Sequence, residues 1–195
     1  MKIILFSLLA YLLGSVPAGL IIAKRRGVDL HKEGSGNIGA TNVLRTAGKG
    51  AAVLTLIGDA LKGTVAALIG RYFFPGNFYA EGAVGLCAIL GHDFSLFLKF
   101  KGGKGVATSL GVLSIYSPLG GLFTVIIWLM TVLITKYSSL GALISFGVLP
   151  VGVLLFDAKE KFPLAFLFTA LLFIRHKDNI KRLAAGRENR IGVNK

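Results

Sequence analysis

The chain has 195 residues, of which 54% are hydrophobic and only 16% are charged, and its formal net charge is +13. A soluble domain of this size carries about 25% charged residues, so the composition excludes an ordinary globular protein. One cysteine, Cys87, excludes a disulfide framework. The basic residues lie between apolar runs and form no domain of their own, which argues against nucleic acid as a partner. The charge instead favours anionic lipid headgroups or anionic substrates.

Long uncharged runs dominate the chain, at residues 3–23, 105–135 and 137–156. A membrane-spanning helix needs about 20 apolar residues, so we predict an all-α, polytopic membrane bundle that forms a single domain over residues 1–195. The first run is followed at once by three basic residues and lacks a convincing cleavage site, so it is interpreted as a true span rather than a signal peptide. The seven predicted helices are 3–23, 51–73, 80–98, 105–117, 119–135, 140–156 and 162–175.

The run 105–135 is too long for one span, because a helix of that length would measure about 46 Å, against a hydrocarbon core of about 30 Å. Ser117-Pro118 and the following Gly120-Gly121 offer a turn near its middle. Two short helices therefore fit this stretch better than one.

Lysine and arginine are distributed unevenly between the predicted loops. Alternate segments hold 17 of the 22 basic residues, namely 24–50, 99–104, 136–139 and 175–195. Cytoplasmic loops of membrane proteins carry the excess of Lys and Arg. We therefore predict an N terminus outside the membrane and a cytoplasmic C terminus.

Three glycine-rich or basic segments fall on this same predicted face: Gly34–Gly50, Lys99–Gly105 and Arg175–Arg190. Glycine lets backbone N–H groups approach an anion closely, and Lys or Arg supplies the opposite charge. Their convergence predicts a site for phosphorylated small molecules.

The first segment is rich in small and amide side chains that donate hydrogen bonds, and its arginine offers a planar fork for phosphate. A flexible loop that uses glycine only for turns remains the alternative. The side chains of Ser35, Asn37, Thr41 and Asn42 can all donate, and the site candidates are Ser35, Asn37, Thr41 and Arg45.

In the second segment Gly102, Gly103 and Gly105 directly precede an apolar helix. Backbone N–H groups at a helix N terminus form an anion site, and Lys104 would add a point charge there. The alternative is a basic anchor to lipid headgroups. His92, just upstream, is either part of the site or a hydrogen-bonded structural histidine.

The third segment places His176, Asn179 and Arg182 three residues apart, so on a continuing helix they share a face. Glu188 is the one acidic residue in the basic run that follows. A solvated basic tail is the alternative. The short loop that ends at Ser139 lies on the same predicted face and could add a hydroxyl.

Asp59 and Lys62 stand three residues apart within the second predicted span. Charged residues inside a membrane are costly and are functional candidates by default. A purely structural ion pair is the alternative at this position.

These three segments, in this order, resemble the bacterial acyl-phosphate:glycerol-3-phosphate acyltransferases of phospholipid synthesis, in GSGNIGATNVLRTAGKG, GHDFSLFLKFKGGKGVATSLG and RHKDNIKRLAAGRE. The resemblance covers nearly the whole chain. It implies a multi-pass protein of the cytoplasmic (inner) membrane whose active site faces the cytoplasm. It also implies transfer of a fatty acyl group from acyl phosphate to the 1-position of glycerol 3-phosphate, giving lysophosphatidic acid and phosphate. No metal or other cofactor, no acyl-CoA or acyl-carrier-protein donor and no required protein partner is implied.

Carried over residue by residue, the resemblance assigns essential positions in all three motifs. In the first motif these are Ser35 and Arg45, and in the glycine-rich second motif they are Gly102, Gly103, Lys104 and Gly105. In the third motif they are His176, Asn179 and Glu188. Ser139 is also assigned, although Ala142 stands where a further small hydroxyl residue is expected.

The residue that removes the proton from the attacking hydroxyl stays open between His176, His92 and an oxygen of a substrate phosphate. Our hypothesis is that the substrate assists and that His176 with Asn179 positions the acceptor. An acyl-enzyme on Ser35 is less favoured, because no base is visibly paired with it. A transporter of phosphorylated solutes and a lipid-phosphate phosphotransferase or hydrolase are the alternative classes, but no internal repeat and no acidic metal-ligand cluster favours either.

Overall fold

The computed structural model describes residues 1–192, and every regular element in that range is helical. The all-α prediction is therefore confirmed. The ten α-helices are α1 (Lys2–Ser15), α2 (Ala18–Lys24), α3 (Ala40–Thr46), α4 (Lys49–Phe73), α5 (Phe78–Asp93), α6 (Val106–Tyr116), α7 (Pro118–Thr135), α8 (Ser138–Phe156), α9 (Phe162–Arg175) and α10 (Lys177–Ala184). Two 3-10 helices lie at Leu96–Leu98 and Lys159–Lys161.

Within residues 1–192, five stretches are long and apolar enough to cross a membrane: Lys2–Lys24, Lys49–Phe73, Phe78–Leu98, Pro118–Thr135 and Ser138–Phe156. Large apolar side chains on these helices are exposed, as membrane-facing surfaces require. These features define an integral membrane protein.

The predicted first helix, 3–23, is wrong as a continuous element. It breaks at Val16-Pro17, where Val16 adopts an extended conformation (φ −62°, ψ 117°). Proline lacks a backbone N–H and disfavours helical geometry in the residue before it. The freed carbonyl of Val16 accepts hydrogen bonds from the backbone N–H of Ala18 (3.1 Å) and from Lys62 Nζ (2.9 Å).

The predicted break within 105–135 is confirmed, because α6 ends at Tyr116 and α7 begins at Pro118. The predicted helix 80–98 is shorter than expected, since α5 ends at Asp93 and only a 3-10 turn follows. The short helix α3 inside the first glycine-rich segment was not predicted.

The helices group into two compact units, residues 1–116 and 117–195. In the first unit α5 packs on α1, and α4 packs on both α5 and α6. Small residues allow these close approaches: a Cβ on Gly63 would overlap the backbone of Thr108, and a Cβ on Gly111 would overlap that of Ala60. In the second unit α8 packs against α7 and α9.

Candidate functional site

Asn42 organises the first glycine-rich segment. Its side chain is buried on α3, where Oδ1 accepts the backbone N–H of Ser35 at 2.7 Å. Its Nδ2 donates to the carbonyls of Leu30 (3.4 Å) and Glu33 (3.2 Å). One amide thus closes the turn that presents Ser35, whose own side chain is exposed.

Thr41 and Arg45 lie one turn apart on α3, so they share a face of that helix, and both are half-buried. Asn37 is half-buried in the turn just before the helix. An apolar cluster that includes Leu30, Ile38 and Val43 supports α3, and Leu98, the residue directly before the second segment, packs against it. The first two segments therefore meet at one end of the first unit.

The glycine-rich run 102–105 wraps around the end of α5. The backbone N–H of Gly102 donates to Asp93 O (3.2 Å), and that of Gly103 donates to His92 O (2.9 Å). A Cβ on Gly102 would overlap the His92 carbonyl, and a Cβ on Gly103 would overlap the His92 ring. Both glycines are therefore required for close packing, and their N–H groups already have protein acceptors.

Gly105 completes the run with a φ of +72°, and a Cβ there would meet the Asp93 carboxylate at 2.9 Å. Its carbonyl accepts the N–H of Ser109 (2.7 Å), which begins the hydrogen bonding of α6. Lys104 is half-buried between two buried glycines, directly before this helix. The packing of the backbone on both sides of Lys104 therefore sets the location of this residue in the structure.

Behind this run lies a buried polar cluster formed by Asp59, Lys62 and His92. Asp59 Oδ1 is 2.9 Å from Lys62 Nζ and 3.4 Å from His92 Nδ1. All three side chains are at most 6% exposed. The charged pair noticed in the second span is therefore a real ion pair, and it extends to a histidine that the sequence left without a partner.

In the second unit Glu188 bridges two residues of α10. Its Oε1 accepts from Asn179 Nδ2 at 3.0 Å, and its Oε2 accepts from Arg182 Nε at 2.9 Å. Asn179 and Glu188 are nearly enclosed, whereas the Arg182 side chain is 35% exposed. The tail is thus an ordered structure that brings three of the predicted site residues together.

His176 lies at the junction of α9 and α10 and is 3% exposed. Its Nδ1 is 2.9 Å from the carbonyl of Leu172. A carbonyl only accepts hydrogen bonds, so Nδ1 carries a proton and, in the neutral ring, the lone pair is on Nε2. That assignment gives His176 a fixed ring with a defined accepting atom.

The residues after Glu188 dock on the turn between α7 and α8. The N–H of Ile191 donates to Lys136 O (2.8 Å), and Arg190 Nε donates to the hydroxyl of Tyr137 (3.1 Å). Ser139 lies in the first turn of α8 beside this turn, and its buried hydroxyl has no hydrogen-bond partner among residues 1–192. A buried hydroxyl in this state is suited to a ligand group.

Two organising residues escaped the sequence-based selection of site residues. Asn42 was noted only as a hydrogen-bond donor, and Tyr137, in the short loop before Ser139, was not singled out. An amide at the third position of a helix that follows a glycine turn is a usable signal for the first. The docking of the tail on Tyr137 depends on long-range packing and leaves no local pattern.

Comparison with known proteins identifies the class. The chain matches the family model described as glycerol-3-phosphate acyltransferase over residues 4–186. It belongs to this family.

Curated relatives and solved structures agree over nearly the full length. The glycerol-3-phosphate acyltransferase of Rhodopseudomonas palustris is 50% identical over 189 residues, covering 96% of this chain and 95% of the relative. That of Thermus thermophilus is 46% identical, covering 95% and 93%. A solved structure that is similar to this chain is the crystal structure of PlsY (YgiH), an integral membrane glycerol 3-phosphate acyltransferase, in its glycerol 3-phosphate form. The two sequences are 41% identical and the TM-score is 0.92, and the match covers 98% of this chain and 96% of the PlsY chain. Its lysophosphatidic acid form gives 40% and 0.90.

Proposed function

We propose that this protein transfers a fatty acyl group from acyl phosphate to the 1-hydroxyl of glycerol 3-phosphate, an early step of phospholipid synthesis. The products are lysophosphatidic acid and inorganic phosphate. Family membership supports this activity, and so do the ligands of the solved relative, one form of which holds glycerol 3-phosphate and another lysophosphatidic acid.

One observation carries the proposal: two half-buried cations, Arg45 and Lys104, each follow a glycine-rich turn at the same end of the first unit. Both substrates carry phosphate, which a guanidinium binds with two parallel hydrogen bonds and an ammonium binds as a point charge. Ser35, Asn37 and Thr41 add neutral hydrogen-bonding groups at this end. Gly102, Gly103 and Gly105 hold the backbone that carries Lys104.

The reaction is a substitution at an activated carbonyl. The 1-hydroxyl oxygen of glycerol 3-phosphate attacks the acyl carbon, the bond from that carbon to the phosphate oxygen breaks, and the hydroxyl proton leaves with the phosphate. Holding both reactants in place supplies a large part of the rate, because effective concentrations reach about 10⁵ M or more. Cations near the phosphates also stabilise charge on the leaving group.

Within the second unit, we assign His176 and Asn179 to positioning of the acceptor, Glu188 and Arg182 to holding Asn179, and Ser139 to a substrate hydrogen bond. The fixed ring of His176 supports a positioning role with Nε2 as acceptor. A rate loss above about 10⁴-fold in His176→Ala, the upper range for acid–base catalysis, would instead make His176 the general base.

An acyl-enzyme on Ser35 stays less favoured. No histidine or carboxylate is hydrogen-bonded to its hydroxyl in the part of the chain that the structure describes. Retention of most activity in Ser35→Ala would remove the covalent route, whereas an acyl adduct trapped on Ser35 would establish it.

The finer topology also belongs to this proposal: seven spans, the N terminus outside, and the glycine-rich segments and the C terminus in the cytoplasm of the inner membrane. The uneven distribution of Lys and Arg supports it. Single cysteines at positions 2 and 181 of a Cys87→Ser chain test it, since an impermeant maleimide should label only position 2 in intact spheroplasts. Labelling of position 181 instead would reverse the orientation.

The decisive experiment uses purified protein in detergent with palmitoyl phosphate and labelled glycerol 3-phosphate, and without metal or CoA. We expect lysophosphatidic acid from the wild type and a loss of about 10²- to 10³-fold in Arg45→Ala and Lys104→Ala, the scale for removing a preorganised hydrogen-bond donor. Lys101→Ala is the control, because it removes an exposed charge from the same segment. No product, with glycerol 3-phosphate instead crossing proteoliposome membranes, would replace the enzyme with a transporter.

A further inference from the structure

A buried histidine separates a carboxylate from the glycine-rich run. Asp59 lies on α4 and His92 on α5, and Asp59 Oδ1 is 3.4 Å from His92 Nδ1. The other edge of the ring faces the run, because a Cβ on Gly103 would overlap His92 Nε2. The imidazole is therefore held between the Asp59 carboxylate on one side and the backbone of Gly103 on the other.

Lys62 contacts the same carboxylate oxygen of Asp59 that lies near His92. Its Nζ is 2.9 Å from Asp59 Oδ1 and donates at 2.9 Å to the carbonyl of Val16, which the Pro17 break has freed. Lys62 also interacts electrostatically with Asp93, whose backbone carbonyl binds the N–H of Gly102. The cluster thus connects the break after α1, the helix α4 and the backbone of the glycine-rich run.

A second ion pair in the same unit, in which Glu81 is buried and the Arg71 side chain is 47% exposed, serves as a comparison. At the C-terminal end of α4, Arg71 Nε donates to Glu81 Oε1 (3.2 Å), and a second guanidinium nitrogen donates to the carbonyl of Ile115. These contacts join the ends of α4, α5 and α6, and none of the three residues belongs to a glycine-rich segment. Charges taken into a buried site carry a large desolvation cost, so either pair is weak evidence of stabilisation by itself.

We propose that Asp59, His92 and Lys62 are positioning residues of the active site, which set the backbone of residues 102–105 and so the place of Lys104. Asp59 fixes the imidazole, the imidazole packs on Gly103, and the carbonyls of His92 and Asp93 bind the N–H groups of Gly103 and Gly102. This inference rests on the proposed function for the role of Lys104, but the placement of the run is testable without any substrate.

Asp59→Asn is the test, because it keeps the shape of the side chain and removes the charge that holds His92 and Lys62. Hydrogen–deuterium exchange in detergent should be at least about tenfold faster at Gly102 and Gly103, since their hydrogen bonds open more easily once the support is lost. In the acyl-transfer assay, kcat/KM should fall about 100-fold, the effect of a misplacement near 1 Å. The fall should appear in the KM of glycerol 3-phosphate or of acyl phosphate, whichever phosphate Lys104 contacts.

Glu81→Gln is the control, since it removes a buried carboxylate charge from the second ion pair of the same unit. It should leave exchange at Gly102 and Gly103 and both KM values near wild type, whatever its effect on the melting temperature. If Asp59→Asn does not fold, His92→Asn gives the same comparison, because it removes the ring and leaves the Asp59–Lys62 pair intact.

Faster exchange at the two glycines in Asp59→Asn but not in Glu81→Gln supports the proposal. Equal exchange at the two glycines in both variants overturns it. A wild-type protein that makes no lysophosphatidic acid counts against the proposed function alone, because the exchange comparison still decides whether the cluster holds the run.

Discussion

The glycine-rich run of the first unit and the polar tail of the second are held by different physical means. Residues 102–105 are placed by backbone hydrogen bonds and by close packing on His92, with no side chain of their own except that of Lys104. The tail is placed mainly by side chains. Glu188 binds both Asn179 and Arg182, and Arg190 binds Tyr137, with one backbone hydrogen bond from Ile191 to Lys136 beside them. The glycine-rich run therefore depends on residues without side chains, and the tail depends on charged side chains.

This difference predicts different sensitivities to substitution. A run that packs through its backbone is displaced when a glycine in contact with a neighbour gains even one methyl group. A bridge made by a carboxylate tolerates small shifts and fails by degrees when its charge is removed, because a charge-assisted hydrogen bond is about twice as strong as a neutral one.

Gly103→Ala should have the largest effect of the three substitutions that follow. The new methyl group overlaps the His92 ring, so the run must move and Lys104 with it. We expect kcat/KM to fall about 100-fold in the acyl-transfer assay, while the protein still purifies as a folded species.

Gly50→Ala is the control for that variant. Gly50 lies in the first turn of α4, and a Cβ there meets nothing within 4 Å. Activity should be unchanged, and stability should rise by up to about 1 kcal/mol because alanine favours a helix. Equal losses in both alanine variants would refute the packing argument.

Glu188→Gln should have an intermediate effect. The substitution keeps the side chain's shape but replaces the carboxylate that binds Asn179 and Arg182. We expect kcat/KM to fall about tenfold, consistent with weakening of charge-assisted bonds. Glu160→Gln, at an exposed site of the same unit, should have no effect. A Glu188→Gln enzyme with full activity would show that the bridge is dispensable.

Ser139→Ala should have the smallest effect on activity, and it should change stability and activity in opposite directions. Its buried hydroxyl has no protein partner among residues 1–192, so removing it should raise the melting temperature by about 2 °C. If the hydroxyl binds substrate, kcat/KM falls several-fold at the same time. Ser145→Ala on the same helix is the control, because that hydroxyl donates to Ala142 O and its loss should not stabilise the protein.

Hydropathy was sufficient for the all-helical class and for most helix bounds. The break between α6 and α7 was predicted from Ser117-Pro118 and from span length, because both are local properties. The break at Pro17 was missed, since the uncharged run continues through it and hydropathy does not report backbone geometry. The seven-span count, the orientation and the single-domain assignment stay predictions.

The candidate site divides in the same way. The sequence singled out Arg45, Lys104 and Glu188, because charged residues among glycines in a membrane protein are conspicuous. It paired His176 with Asn179 through helix spacing, whereas the structure pairs Asn179 with Glu188, nine residues away. It left His92 and Asp59 as separate features, although they are 3.4 Å apart.

By itself, the sequence determined that this chain is an all-helical membrane protein with basic, glycine-rich segments, because composition and period are properties of consecutive residues. Only the tertiary structure decided that Asn42 closes the Ser35 turn, that His92 packs on Gly103, and that the tail docks on Tyr137. Each of these contacts joins residues that are separated along the chain by at least a turn. The packing of helices against one another selects the partners, whereas hydropathy indicates only which segments cross the membrane.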